Sequence, residues 1–142
     1  MLTFRPATEF DIPFLLDLRQ QTMNEHLAAA GMDPSEDEQL DRILTSFDSA
    51  QIVRQHGIPM GLIKVLRQPM QWELIQIQLL PRFQKQGIGS QLMARLVQEA
   101  RAMGVALKLS VLKTNPARRL YERMGFVVIA ETTHAYAMAL KT

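Results

Sequence analysis

The stretch from Ile77 to Ser90 constrains the fold more than any other part of the sequence. An apolar run enters a polar turn, and the turn opens a helix whose first residues include Gly87 and Gly89. The first amides of a helix have no partner within the helix and carry partial positive charge. Glycine lets the backbone approach a ligand closely. This pattern predicts a strand, a turn and a helix N-terminus that bind a diphosphate.

Two common phosphate motifs do not fit this segment. A P-loop requires a lysine before Ser90, where Gly89 stands. A dinucleotide fingerprint requires a third glycine where Leu92 stands, and it normally lies in a βαβ unit near the start of a chain. From the residues alone, two interpretations stay open, which are an anion-binding turn of another kind and a glycine-tolerant helix start without a ligand.

Strand-like and helix-like patterns alternate along the rest of the chain. Strands are predicted over 2–5, 51–56, 60–67, 71–80, 106–112, 126–130 and 135–140. Helices are predicted from Thr8 or Asp11 to Gly31, after Asp33-Pro34-Ser35 as far as Phe47, from Gly87 to Met103, and from Asn115 to Gly125. The three strands in the middle, joined by short turns such as Gly57-Ile58-Pro59, read as an antiparallel meander. The sequence therefore predicts a mixed α/β (α+β) fold and one domain over residues 1–142.

Composition excludes several classes of protein. The chain has no cysteine, which removes disulfides, thiolate zinc sites and a cysteine nucleophile, and its 3 histidines lack metal-ligand spacing. A net charge of +2 without a long Lys/Arg run argues against a nucleic-acid partner. No apolar run approaches the roughly 18 residues of a membrane-spanning helix, and residues 1–6 do not resemble a signal peptide. We expect a cytoplasmic monomer or homodimer without a metal.

Two motifs in the sequence occur in a fixed order. The first is Gln84-x-x-Gly87-x-Gly89, and the second runs from Asn115 to Phe126 and reads NPARRLYERMGF. Together they resemble the GCN5-related N-acetyltransferase (GNAT) superfamily, and the first is similar to the family's coenzyme A pyrophosphate loop. The order of predicted elements is also similar to the family's acyl-CoA N-acyltransferase fold. Asn115 lies one residue closer to Tyr121 than in the family pattern, so either Asn115 or Thr114 takes the family position.

The resemblance implies a set of residues that bind acetyl-CoA as a co-substrate. Main-chain groups of Ile77, Gln78 and Leu79 would bind the pantetheine arm, and the Leu79 amide would polarise the thioester carbonyl. Asn115 would cap its helix and contact the same arm. The pyrophosphate loop would comprise Gln84, Lys85, Gln86, Gly87, Ile88, Gly89 and Ser90, with the amides from Lys85 through Ser90 as donors.

The resemblance also implies direct transfer of an acetyl group to a primary amine, on a small molecule or a protein. Tyr121 would act as the general acid for the departing thiolate, although a tyrosine packed in the core is the alternative. Glu73, six residues before Leu79, would act as the general base, although an exposed glutamate and a water relay are the alternatives. A non-catalytic acyl-CoA-binding sensor is the alternative function. The acceptor pocket would lie between the first helices and the last hairpin.

Overall fold

The structure is a computed structural model that describes residues 1–32 and 35–141. The helices are α1 (Ile12–Ala29), α2 (Glu36–Leu44), α3 (Ile88–Met103) and α4 (Arg118–Arg123). The strands are β1 (Leu2–Pro6), β2 (Ala50–Gln55), β3 (Ile58–Arg67), β4 (Gln71–Leu79), β5 (Ala106–Leu112), β6 (Phe126–Glu131) and β7 (Ala135–Leu140). The order of elements is the predicted one. Asp33 and Pro34 of the predicted turn, and Thr142, lie outside the described residues.

The seven described strands form one mixed sheet in the order β1-β2-β3-β4-β5-β7-β6. β4 and β5 run parallel, and the other neighbouring pairs of described strands are antiparallel. The predicted meander is β2-β3-β4. A helix connects the two parallel strands because a parallel pair requires a crossover. The predicted fold class is confirmed.

Helices cover both faces of the sheet and create two separate cores. α3 places an apolar stripe on one face, where Leu92, Leu96 and Ala100 recur at helical spacing and are 2% exposed or less. α1 and α2 cover the other face through Leu15, Leu18 and Ile43. Truncation of such a leucine to alanine costs about 2–5 kcal/mol of unfolding free energy. The sheet therefore holds its two helical layers rigidly, and the candidate site lies between elements of both layers.

Several predicted boundaries were wrong for local reasons. The turn between β2 and β3 is His56-Gly57, where both residues have positive φ (53° and 76°), so β3 begins at Ile58 instead of Met60. Two such residues give the tight turn whose twist suits a hairpin. α2 ends at Leu44, and Phe47 lies in a separate 3₁₀ turn. α4 begins at Arg118, after an irregular turn that contains Asn115.

The feature of the sheet that positions the site is a gap between β4 and β5. These strands stop pairing after Leu74 and Leu109, although both continue. Ile75, the next residue of β4, is an extra residue relative to the register with β3. A bulge of this kind bends its strand. The bulge lies where β4 leaves β5, and residues 75–79 are thereby separated from residues 110–112.

Candidate functional site

The turn between β4 and α3 is held in shape by its own glutamine side chains. Gln84 donates from Nε2 to the Leu79 carbonyl at 2.9 Å, and Gln86 donates from Nε2 to the Arg82 carbonyl at 2.9 Å. The backbone is left-handed at Lys85 (φ 62°) and again at Gly87 (φ 81°). A Cβ at Gly87 would contact no atom within 4 Å, so the glycine serves the backbone conformation and leaves open space in front of it.

This turn leaves a run of main-chain donors without partners. Within the described residues, none of the amides from Lys85 to Ser90 donates a hydrogen bond, and the next amide, that of Gln91, bonds the Gly87 carbonyl at 3.0 Å. The last three of these amides open α3, so the helix dipole adds positive charge. Six consecutive free amides at a helix start fit an anionic diphosphate. They are the donors that the sequence predicts for the pyrophosphate.

The main chain of β4 faces the gap at alternate residues. The Leu80 amide bonds a carbonyl of β3 at 2.9 Å, and hydrogen-bonded positions alternate along an antiparallel pair. The main-chain groups of Gln78 therefore face β3, and those of Ile77 and Leu79 face the gap. This register supports the predicted main-chain role for Ile77 and Leu79. It leaves Gln78 to contribute its side chain.

A cavity of about 360 Å³ extends from the turn along the gap. Of the predicted cofactor residues, Gln86 and Ile88 do not line this cavity. The Gln86 side chain bonds the Arg82 carbonyl, and the Ile88 side chain is buried in the core. The other predicted residues do line it. They are Ile77, Gln78, Leu79, Gln84, Lys85, Gly87, Gly89, Ser90, Asn115 and Tyr121.

A second cavity, of about 480 Å³, lies on the side of α1 and α2. Its lining includes residues of α1, of α2 and of the turn between β6 and β7, which are the elements predicted to shape the acceptor pocket, and it also includes residues of β4. The two cavities meet, because several described residues line both. These shared residues are Met23, Ile77, Gln78, Asn115 and Tyr121.

Tyr121 lies where the two cavities meet. Tyr121 is 6% exposed, and its ring packs edge-on against Phe126 with ring centroids 6.1 Å apart. Burial raises the pKa of the Tyr121 phenol to about 12, because the phenolate is poorly solvated there. Within the described residues the hydroxyl makes no hydrogen bond. The structure thus places a protonated donor, free to bond a ligand, at the junction.

Asn115 and Thr114, the two candidates for the asparagine position of the second motif, make different contacts. The Asn115 Oδ1 accepts a hydrogen bond from the Ala117 amide at 2.9 Å and shapes the turn before α4, while the residue lines both cavities. Thr114 donates from Oγ1 to the His26 carbonyl at 2.8 Å, which ties this turn to the end of α1. Asn115 is therefore the residue that can contact a ligand, and Thr114 holds the two walls of the site together.

Glu73 is not brought together with Tyr121. Its neighbours Trp72 and Leu74 are both buried in the core under α3, so Glu73 faces the opposite side, where it is exposed. It lines a small depression of about 150 Å³ that does not include Tyr121. Regular alternation would place Glu73 and Leu79 on one face, but the bulge at Ile75 shifts the alternation by one residue. Its role as base stays a prediction.

The structure adds polar residues that the sequence did not assign to the site. Arg19 and Arg42 line the second cavity together with the amides of Gln76 and Gln78. Arg19 is 2% exposed and lies on the buried stripe of α1, where apolar residues are expected. An arginine on such a stripe is the sequence signal that could have identified it.

Two general absences hold for the part of the chain that the structure describes. None of its helices is long and apolar enough to cross a membrane. Residues 1–32 and 35–141 contain no group of three or more His, Cys, Asp or Glu side chains that could hold a metal ion.

Solved structures share this fold over nearly the whole chain. PaiA N-acetyltransferase from Thermoplasma acidophilum, in complex with coenzyme A, has 17% identity and a TM-score of 0.75, covering 100% of this chain and 99% of its own. The ribosomal-protein-S18-alanine N-acetyltransferase from Escherichia coli has 24% identity and a TM-score of 0.71, with coverage of 99% and 93%. YncA from Salmonella typhimurium with acetyl-CoA has 19% identity and a TM-score of 0.62, with coverage of 99% and 94%.

A comparison with curated proteins finds no significant match. The structural likenesses lie below 25% identity and therefore show the fold alone. Family membership rests on the sequence, since residues 13–126 match the model of the acetyltransferase (GNAT) family. That range includes both motifs from which the superfamily was predicted, and the prediction is confirmed. The chain belongs to the acetyltransferase (GNAT) family.

Proposed function

We propose that this protein transfers the acetyl group of acetyl-CoA to a primary amine, with both substrates bound together. The observation that carries this proposal is a continuous path. It begins at six free amides that suit a diphosphate, follows the gap between β4 and β5, and ends at a tyrosine that borders a second cavity. A binding site for an anionic, elongated substrate therefore leads to a separate site for the acceptor amine.

The residues present fit acetyl-CoA. The amides from Lys85 to Ser90 would bind the pyrophosphate, and the main-chain groups of Ile77 together with the amide of Leu79 would bind the pantetheine arm as a neighbouring strand would. Asn115 would contact the same arm. When bound, acetyl-CoA supplies an acetyl thioester whose carbonyl carbon accepts the amine and whose thiolate leaves.

The groups at the junction of the two cavities can account for each bond and proton in the acetyl transfer. The amine must be deprotonated before it attacks, since an ammonium has no lone pair. The new C–N bond forms as the C–S bond breaks, and Tyr121 donates a proton to the leaving sulfur. The Leu79 amide faces the gap and would stabilise negative charge on the carbonyl oxygen. The attacking nitrogen loses a proton, and the phenolate of Tyr121 regains one from solvent.

The acceptor for the amine proton is water in this proposal. None of the described residues that line the second cavity is a carboxylate. Glu73, the base suggested by the sequence, lies outside that cavity and would act only through a chain of water molecules. A water relay therefore suits the geometry better than direct proton abstraction by Glu73.

Two measurements test the proposal. Acetyl-CoA at about 100 times its dissociation constant should stabilise the folded state by about 2.7 kcal/mol, which raises Tm by about 5–10 °C in a chain of this size. NADH, which has a pyrophosphate but no pantetheine arm, should raise Tm less. Release of free thiol from acetyl-CoA should then depend on an added amine. Binding without thiol release, for any amine tried, would favour the acyl-CoA sensor instead.

A further inference from the structure

The second cavity is cationic. Among the described residues that line it, Arg19 and Arg42 carry full positive charge and none is Asp or Glu. Most of the remaining lining is apolar or an uncharged amide, and it includes Leu27, Ile75 and Leu112. A pocket that bound a polyamine or another polycation would need carboxylates, because like charges repel at close range.

Arg19 is the central charge of this cavity. It is 2% exposed, and its Nε donates to the Gln39 Oε1, which is an uncharged partner. No carboxylate forms an ion pair with Arg19 within the described residues. Burial, and to a lesser degree repulsion from Arg42, lowers the pKa of Arg19 to about 10. The guanidinium is still charged at neutral pH, and no negative charge balances it.

A third cation lies behind the cavity. Lys64 is fully buried, and its Nζ donates to the carbonyls of Arg42, Ile43 and Thr45 at 3.2, 2.9 and 2.7 Å. Burial, with repulsion from Arg19, lowers the pKa of Lys64 to about 8. The end of α2 thus satisfies the hydrogen bonds of Lys64 without cancelling its charge. Arg42 forms an ion pair with Glu38 at 3.6 Å, whereas Arg19 and Lys64 have no carboxylate partner within the described residues, so the cluster keeps an excess of positive charge.

A buried cation without a counter-ion is costly to the folded protein. That cost is recovered when a ligand brings an anionic group to the guanidinium, since such charge-assisted bonds are the strong ones. The planar guanidinium of Arg19 or Arg42 suits a carboxylate or a phosphate, which accept paired hydrogen bonds. The charge distribution therefore calls for an anion in this cavity.

The same cavity offers acceptors for the other end of a ligand. The Oε1 atoms of Gln76 and Gln78 are buried and accept no hydrogen bond within the described residues. Gln78, like Tyr121, lines both cavities and therefore borders the junction at which the amine would react. An unpartnered buried acceptor is satisfied by an N–H donor. Gln78 thus suits the nitrogen of the acceptor, and Arg19 and Arg42 suit its anionic group.

We infer that the acceptor is a small amine that also carries an anionic group, a carboxylate or a phosphate, bound by Arg19 and Arg42 while Gln78 orients the nitrogen. The inference rests on the proposed function, because it concerns the second substrate of the same reaction. It excludes polyamines and other polycations as preferred acceptors.

Matched acceptors test this inference through thiol release. Leucine, methionine, phenylalanine and glutamate are each compared with the corresponding amino-acid amide, in which a neutral carboxamide replaces the α-carboxylate. Phosphoethanolamine is compared with ethanolamine. The α-amine of an amino-acid amide is less basic than that of the amino acid. More of it is therefore unprotonated and reactive, which favours the neutral member of each amino-acid pair. At least one anionic member should exceed its neutral counterpart by about tenfold or more in kcat/KM. The pair that responds distinguishes carboxylate from phosphate. Equal or better turnover of every neutral member, or of spermidine, would overturn the inference.

Variants then locate the anion. Arg19→Met and Arg42→Met should each remove most of the preference for the anionic member, mainly through KM, while Arg19→Lys keeps part of it. Arg95→Met is the matched control, because Arg95 lies on α3 over the other face of the sheet. Arg42 is half-exposed, so Arg42→Met keeps the test decisive if Arg19→Met does not fold. An unchanged preference in the folded variants would contradict the assignment.

Failure of the inference differs from failure of the proposed function. If neutral amines react as well as anionic ones, the acetyltransferase stands and the inference falls. If no amine reacts although acetyl-CoA binds, the proposed transfer falls. In that case the inference is judged by thermal shift with the same pairs in the presence of coenzyme A, and it falls as well unless an anionic member raises Tm more than its neutral counterpart.

Discussion

The two cavities of this protein are built by different means. The hydrogen-bonding groups that the cavity at the turn offers are largely main-chain groups, which are the free amides of the turn from Lys85 to Ser90 and the unpaired edge of β4. The cavity under α1 and α2 is lined by residues from six described elements, and its polar side chains include Arg19, Arg42 and Gln76. Main-chain donors are present whatever the side chains are, whereas a side-chain pocket changes with every substitution. The first region therefore suits a ligand common to a family, and the proposed function assigns the acceptor amine to the second.

Tyr121 lies between the two regions, and its hydroxyl gives the largest expected effect. Tyr121→Phe should lower kcat by about 100-fold or more, because general acid catalysis contributes that much. Affinity for acetyl-CoA should stay unchanged. Stability should change by less than about 1 kcal/mol, since the hydroxyl has no hydrogen bond to lose within the described residues. Steady-state kinetics and thermal unfolding measure both.

Tyr136→Phe is the matched control for that experiment. Tyr136 packs against Arg118 and Lys113 outside the lining of either cavity, so its hydroxyl should be dispensable. If Tyr121→Phe kept full kcat, Tyr121 would not be the general acid, and the junction of the two cavities would have no assigned catalytic group.

A side chain at the main-chain site should block the first region alone. Gly87→Leu should weaken acetyl-CoA binding by about 100-fold, because two or more charge-assisted hydrogen bonds become inaccessible. Left-handed backbone at a non-glycine residue costs about 1–2 kcal/mol, so the fold should persist. Isothermal titration calorimetry measures the affinity.

Gly104→Leu is the control that distinguishes backbone strain at a left-handed residue from obstruction of the turn that binds the pyrophosphate. Gly104 has φ 67° at the other end of α3, and a Cβ there would also contact nothing within 4 Å. It should lose similar stability and keep its affinity. Equal affinity in both variants would show that the turn does not hold the cofactor.

The smallest effect is expected at Glu73, which lies outside both regions. Glu73→Gln should change kcat/KM by less than about twofold, as an exposed substitution does, and leave the pH profile of the rate unmoved. A large loss of rate near neutral pH, recovered as the pH approaches the pKa of the amine, would show that Glu73 acts as base through water. That result would extend the acceptor region to the depression beside β5.

The sequence predicted the first region better than the second for a physical reason. The residues of the turn are contiguous, so Gln84, Gly87 and Gly89 reveal local backbone geometry directly. Arg19 and Arg42 lie on different helices and meet only through tertiary packing, which no local pattern records. The bulge at Ile75 likewise depends on pairing with β3, and it moved Glu73 to a face that simple alternation does not predict.

Predicted boundaries were wrong at turns whose backbone geometry the local sequence pattern does not reveal. His56 takes positive φ beside Gly57, so the hairpin turn comes earlier than the proline suggested. Asn115 was expected to cap α4, and it instead bonds the amide of Ala117 in a turn that precedes the helix. The order of elements was predictable because α3 and the strands carry strong periodicity.

The central claim is that the free amides at the start of α3 hold acetyl-CoA. Titration of acetyl-CoA into ¹⁵N-labelled protein, followed by amide NMR, tests it most directly. The account predicts that the resonances from Lys85 to Ser90 shift most, together with Ile77 and Leu79, while Gly104 at the far end of α3 stays in place. Saturating acetyl-CoA that leaves the Lys85–Ser90 amides unmoved would contradict it.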